Sequence, residues 1–194
     1  FQALVVYGVL LRSLTPLAPS ILRQKMRRVW AFAFSTSSSS VTLPVTMQTV
    51  EKRLGVNKSV SGFSLPLGAT VNMDGTAIMQ GVATVFIAQV YAIDLSTGQL
   101  LMVILTASLA SIGSATVPSA GLIMLSLVLT QAGLPLEGVA LILGVDRLLD
   151  MVRTVVNVTG DATVSLVVAY HEQALDLDVY HDPNAGDAAE QAAT

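Results

Sequence analysis

The sequence predicts an all-α membrane protein built from two inverted re-entrant helical hairpins and two long, partly broken transmembrane helices. Three observations predict it. First, only 12% of the 194 residues are charged while 53% are hydrophobic, about half the charge of an ordinary soluble domain. Second, residues 95–136 hold no charge, and 59–92 hold only Asp74. Both stretches exceed the roughly 20 residues that span a bilayer, and neither offers the charged face of a soluble helix. Third, two of the apolar stretches are interrupted at their centres by serine- and glycine-rich segments. Irregular backbone at membrane depth is tolerated only inside protein or beside a water-filled cavity.

Each segment follows from its residues. Residues 1–12 read as the end of a transmembrane helix. The chain opens on Phe1 without a basic leader or cleavage site, which predicts a piece of a longer protein. Residues 13–28 form a basic connection, flanked by Arg12, broken by Pro16 and Pro19 and carrying Arg23, Lys25, Arg27 and Arg28. Residues 29–55 form the first hairpin, turning at Ser35-Thr36-Ser37-Ser38-Ser39-Ser40 and closed by Pro44. Residues 58–93 form a helix broken at Asn72-Met73-Asp74-Gly75-Thr76. Residues 97–133 form the second hairpin, around the small residues from Ser111 to Gly121. Residues 134–172 form the last transmembrane helix. Residues 173–194, with Asp176, Asp178, Asp182, Asp187 and Glu190 among Ala, Gly and Pro183, predict a disordered acidic tail; His181 belongs to it and receives no role.

Sidedness comes from the basic residues. Loops rich in Lys and Arg stay in the cytoplasm, which places 12–28 and 51–58 there, the second through Lys52, Arg53 and Lys58. The connections at 93–99 and 131–138 have no basic residue and face outward. The two hairpins then enter from opposite sides, the inverted-repeat pattern of secondary transporters. The expected location is the inner (plasma) membrane, multi-pass, with the lipid bilayer as a partner.

The same composition excludes other classes. A net charge of −3 does not suit a nucleic-acid binder. With no cysteine and both histidines near the C-terminus, thiolate chemistry, a zinc site and a serine–histidine pair all lack material. No enzyme and no organic cofactor are expected.

The last helix carries the most chemistry. Asp146, Asp150, Arg153, Asn157 and Asp161 recur at steps of four, three, four and four, so they line one helical face. Ionisable groups at membrane depth cost roughly 2.5–3.5 kcal/mol each on insertion scales and mark substrate or ion pathways. A structural ion-pair ladder, with Arg147 snorkelling outward, would account for the carboxylates but not for the arginines. Arg153 can hold a carboxylate bidentately, Asp150 an ammonium, and Asn157 can donate to a second carboxylate. Together they suit a zwitterion with an acidic side chain. Asp161 and Asp74 are hard oxygen donors suited to sodium; calcium gathers more carboxylates.

With these motifs in hand, the chain resembles the dicarboxylate/amino acid:cation symporters, the glutamate and aspartate transporter family, over about Phe1 to Glu172, the C-terminal half of such a protein. The resemblance rests on four motifs in order: Ser37–Ser40 with Thr42-Leu43-Pro44, Asn72-Met73-Asp74-Gly75-Thr76, Ala115-Thr116-Val117-Pro118-Ser119-Ala120-Gly121, and the Asp146–Asp161 stretch. It implies the transport-domain half of an elevator-type transporter. It implies substrate contacts from Arg153, Thr76 and the backbone near Gly121; from Asp150 with the carbonyls of Ser37 and Val117; from the Ser39 amide with Asn157; and from Thr154. It implies one sodium on carbonyls of Gly68, Asn72 and Asn157 with the Asp161 carboxylate, and a second on carbonyls of Thr70, Ser111, Ile112 and Ser114. A third would take Asn72 and Asp74 with ligands from a further segment. It also implies a homotrimer through an N-terminal scaffold. Ser37 stands where some members have arginine, and Arg147 supplies a charge nearby. Thr116 and Ser119 stand where glycines are usual.

The expected function is therefore sodium-coupled symport of an acidic amino acid, glutamate or aspartate. The alternatives are a proton-coupled glutamate or C4-dicarboxylate carrier of the same family, and an ion channel. Asp150 favours a substrate with an amino group, Asp74 and Asp161 favour sodium, and the Asp150–Arg153 pairing suits a zwitterion better than a pore ring.

Overall fold

The computed structural model of the protein describes residues 1–112 and 120–186. A π-helical turn, Gln2–Val6, runs directly into α1 (Tyr7–Leu14). Helices α2 (Pro19–Lys25) and α3 (Arg27–Thr36) follow, so the basic connection is itself partly helical. The serine run then reverses the chain. Ser37 takes a left-handed conformation (φ 52°) and closes α3. Ser38 is extended and caps α4 (Ser39–Lys52), its Oγ accepting from the Val41 N–H at 3.3 Å. Serine oxygens are good N-caps, so α3 and α4 form a tight helical hairpin.

The expected broken helix divides into α5 (Lys58–Val71) and α6 (Asp74–Val90). Asn72 (ψ 76°) and Met73 (ψ 44°) leave helical geometry at the motif that predicts the break. Helices α7 (Thr97–Ser111), opened by a Ser96/Gln99 capping box, and α8 (Ala120–Ala132) pack side by side. The last span differs from a single helix over 134–172. A 3-10 turn (Leu136–Gly138) and α9 (Val139–Leu143) precede Gly144-Val145, after which α10 (Asp146–His171) runs for 26 residues. Among the described residues α10 alone is long and apolar enough to cross a membrane.

Two apolar clusters hold these elements. One joins Leu11, Met26, Val29, Val50 and Leu65 to Val158, Leu166 and Ala169. The other joins Ile87, Val103, Leu125, Val128 and Leu129 to Ile142. Helix α10 packs against α3, α4, α5 and α6, so it is the shared wall between the two halves. Many large apolar side chains face outward, including Phe63, Leu101, Ile123, Leu143 and Leu148. An apolar exterior on this scale belongs against lipid or further protein.

The tail departs from the sequence expectation over 173–186. Leu175 bridges to Val56, and the Asp176 side chain caps α11 (Leu177–His181). Tyr180 is fully buried and donates to the Ala18 carbonyl at 2.9 Å. The Lys25 ammonium is buried and donates to three carbonyls, those of Arg53, Val179 and Tyr180, at 2.5–2.8 Å. These contacts outweigh the acidic composition that predicts a solvated end. Asp187 and Glu190 lie outside the described residues.

Candidate substrate and cation site

The polar face of α10 is where the sequence places it. Asp146, Asp150, Arg153, Asn157 and Asp161 are each at most 6% exposed, while Arg147 points outward. Arg153 Nε donates to Asp150 Oδ1 at 2.7 Å. The Thr154 hydroxyl donates to the Asp150 carbonyl at 2.8 Å, one helical turn back. Arg153 Nη1 is buried and has no hydrogen-bond partner among the described residues. Buried donors in folded proteins are nearly always paired, so this edge of the guanidinium is the group to watch.

Two glycines let other helices reach it. A Cβ at Gly75 would lie 2.5 Å from the Arg153 carbonyl oxygen, so α6 and α10 touch backbone to backbone there. A Cβ at Gly121 would collide with the Arg153 guanidinium, so α8 approaches it with backbone alone.

Asn157 ties the start of α6 to α10. Its Oδ1 accepts from the Gly75 N–H at 2.8 Å, satisfying a first-turn amide that no carbonyl within α6 can reach. Its Nδ2 faces Met73 Sδ at 3.1 Å and Thr76 Oγ1 at 3.4 Å, both weak or long partners. One turn further along, Asp161 Oδ1 accepts from Asn72 Nδ2 at 2.9 Å and lies against Gly68. The Asp161 carboxylate thus meets the Asn72 side chain and Gly68 at the end of α5.

Asp74 is held from elsewhere. The Tyr7 hydroxyl and Gln2 Nε2 donate to Asp74 Oδ2 at 2.8 and 3.1 Å. Gly160, without a Cβ, leaves space for the Tyr7 hydroxyl and the Asn72 amide together. Tyr7 and Gln2 have no role in the sequence reading. Their pairing depends on the π turn, whose i to i+5 bond from the Tyr7 N–H to the Gln2 carbonyl stacks residues that an α-helix would separate. Gln80 is also new: it is fully buried, with both amide atoms unpartnered among the described residues. It lies one turn beyond Thr76 and one before Thr84, both buried, a polar stripe visible in the sequence of an apolar helix.

The remaining expected residues separate into groups. Ser37 and Ser39 are buried at the first hairpin tip, and the Ser37 Oγ has no partner among the described residues. Thr70 is exposed, its hydroxyl on the Leu67 carbonyl at 2.9 Å. Ser111 is buried and bonds its own helix at Ser108, whereas Ile112 is 50% exposed. Ser114, Thr116, Val117 and Ser119 lie outside the described residues.

Comparison with known proteins decides the lineage. Residues 1–171 match the Sodium:dicarboxylate symporter family. The chain belongs to that family. It is 51% identical over 162 residues to an excitatory amino acid transporter of Caenorhabditis elegans, covering 84% of this chain and 32% of that protein. It is 50% identical over 151 residues to excitatory amino acid transporter 2 of Homo sapiens, covering 78% and 26%. A third relative, excitatory amino acid transporter 3 of Mus musculus, is 47% identical over 172 residues, 84% of this chain and 33% of that protein. The chain thus spans about a third or less of the length of these relatives. Membership makes it part of a membrane transporter family, and its all-helical build and apolar exterior agree with that.

Proposed function

We propose that this chain is the substrate- and cation-binding portion of a sodium-coupled symporter for an acidic amino acid. The observation that carries the reading is the buried Arg153, whose Nε is committed to Asp150 while Nη1 has no partner among the described residues. A guanidinium in this state gains most from a carboxylate, because charge-assisted bonds are strong and a buried unpaired donor is costly. The names of the relatives, excitatory amino acid transporters, point to the same ligand class.

The roles divide by chemistry. Arg153, with Thr76 and the Gly121 backbone, takes the side-chain carboxylate. Asp150, with the tip carbonyls of Ser37 and Val117, takes the ammonium, and Thr154 is a further substrate contact. Asn157, whose amide donor has only weak partners among the described residues, takes the α-carboxylate with the Ser39 amide. One sodium takes the Asp161 carboxylate with carbonyls of Gly68, Asn72 and Asn157. A second takes carbonyls of Thr70, Ser111, Ile112 and Ser114, and a third takes Asn72 and Asp74. These donors are all oxygen, which suits a small hard cation.

The α3–α4 and α7–α8 pairs serve as inverted re-entrant hairpins, and the second hairpin, 99–131, as the outward gate. The whole moves as the mobile half of an elevator in the plasma membrane, on a trimeric scaffold supplied by the rest of the protein. Cation and substrate that both bind better under a closed tip shift its population and bind cooperatively. The alternative within the family is a proton-coupled carrier of glutamate or a C4-dicarboxylate. Uptake of labelled aspartate and succinate by the full-length protein in proteoliposomes separates them. Sodium-gradient-driven aspartate uptake is expected. Uptake driven by a proton gradient with no sodium requirement would overturn the coupling, and equal uptake of succinate would overturn the role of Asp150.

A further inference from the structure

Away from that site, the basic connection forms a pocket of its own. Ser20, Arg23, Gln24, Arg27 and Trp30, together with Leu4 of the π turn, line a cavity of about 370 Å³. The five residues from Ser20 to Trp30 fall at helical spacing across the junction of α2 and α3. The junction residue Met26 keeps a right-handed conformation (φ −80°, ψ −5°), so the stripe continues through it. The opposite side of the same stretch, Leu22, Met26, Val29 and Ala33, is buried in the core. The segment is therefore an amphipathic unit with an apolar side locked into protein and a cationic side turned out.

Within the cluster, the cations differ in what they already hold. Lys25 is buried on backbone carbonyls and Arg28 is also engaged. Arg23 and Arg27 are exposed, and neither has a hydrogen bond or ion pair among the described residues. Trp30 is fixed beside them, its indole N–H donating to Thr159 Oγ1 at 2.8 Å. Leu4 and, one turn beyond Trp30, Phe34 are exposed and continue the surface in apolar form. Two guanidiniums unpaired among the described residues, a hydrogen-bonded tryptophan and an adjoining apolar strip match the parts of a phospholipid: an anionic head group, a glycerol region and an acyl chain. In a chain of a membrane transporter family, the lipid is at hand.

We propose that Arg23 and Arg27 bind the phosphate of an anionic phospholipid, with Trp30 and Leu4 against its glycerol and upper acyl region. Bulk surface charge alone would spread attraction over all basic residues; the pocket concentrates it on two. The site touches none of the residues assigned to substrate or cation, so it stands or falls apart from the transport reading.

Trp30 is the single tryptophan of this chain, which supplies the probe. The full-length protein is reconstituted in phosphatidylcholine bilayers containing brominated phosphatidylglycerol or brominated phosphatidylcholine, and the signal of a Trp30→Phe variant is subtracted. Brominated phosphatidylglycerol is expected to quench Trp30 at about tenfold lower mole fraction than brominated phosphatidylcholine. R23Q/R27Q is expected to abolish that preference, whereas Lys58→Gln, which removes one basic residue outside the pocket, leaves it intact. Inorganic phosphate in the buffer is expected to leave it intact as well. Equal quenching by the two lipids in the parent overturns the proposal. So does a preference that survives R23Q/R27Q, or one that Lys58→Gln reduces as much, since either assigns it to general surface charge. Loss of the preference on adding inorganic phosphate overturns the lipid as the ligand. The two arginines are exposed and have no partner among the described residues, so R23Q/R27Q is expected to melt with the parent. If it does not, Arg27→Gln alone, expected to lose part of the preference, decides between the same outcomes.

Discussion

The Tyr7 hydroxyl donates a 2.8 Å hydrogen bond to Asp74 Oδ2, joining the first helix to the break between α5 and α6. Gln2 donates to the same oxygen at 3.1 Å. Two donors on one carboxylate oxygen fix its orientation and offset its charge. Tyr7→Phe removes the shorter bond and is expected to cost about 1.5–3 kcal/mol, the range for hydrogen bonds to charged groups. If Asp74 is a cation ligand, sodium substitutes for the missing donor, so saturating sodium should recover much of the lost melting temperature. An equal loss with and without sodium would reduce Tyr7 to packing.

How much of this was legible in the sequence depended on whether the signal was periodic. The buried face Asp146, Asp150, Arg153, Asn157 and Asp161 could be read from spacing, because a helix carries its period in its sequence. The break at Asn72-Met73 and the reversal at Ser37-Ser38 sat in recognisable polar interruptions. The Tyr7–Asp74 bond could not be read, because it needs both a tertiary contact and a π turn that nothing in Gln2–Val6 announces. The docked tail was missed for a related reason. Its composition is acidic, yet Tyr180, Leu175 and the carbonyls that meet Lys25 decide its placement. Gln80 was legible as a polar interruption, but its burial without partners among the described residues required the packing of α6 against its neighbours.

Arg153 is expected to determine acidic-substrate binding. Arg153→Lys keeps the charge but loses the planar fork and the Nε bond to Asp150. A fall in aspartate affinity of about a hundredfold follows from losing charge-assisted bonds of about 1.5–3 kcal/mol. Arg153→Cys should lose aspartate and admit small neutral amino acids. Calorimetric titration with aspartate and serine checks both; unchanged aspartate affinity in either variant removes Arg153 from the site.

At Asp161, substitution by Asn preserves size and one acceptor oxygen while removing the charge. The hydrogen bond from Asn72 at 2.9 Å can persist on the amide oxygen, so the fold should survive. Sodium affinity measured without substrate is expected to fall about tenfold or more, as a charged oxygen becomes a neutral one. Superimposable sodium titrations of variant and parent would assign Asp161 to structure alone.

The strap formed by 173–186 is expected to fail at high pH before the rest of the fold. Burial pushes the Tyr180 phenol from 10.0 up to about 12, since the ionised ring is disfavoured away from water. A raised folded-state pKa means that the neutral form stabilises the docked state. That contribution is complete below pH 10.0 and drains away as pH rises toward about 12. Amide hydrogen exchange of 174–181 should therefore accelerate relative to α10 across that window, after correction for intrinsic base catalysis. Tyr180→Phe keeps the ring but loses the bond to the Ala18 carbonyl, so it should exchange somewhat faster at neutral pH and show no extra step above pH 10. Lys25→Met should loosen the strap at every pH, because the carbonyls of Arg53, Val179 and Tyr180 lose their shared donor at about 1–3 kcal/mol for each one left unpaired. A strap that exchanges identically in parent and Tyr180→Phe from pH 8 to 12 would show that its docking does not depend on the phenol.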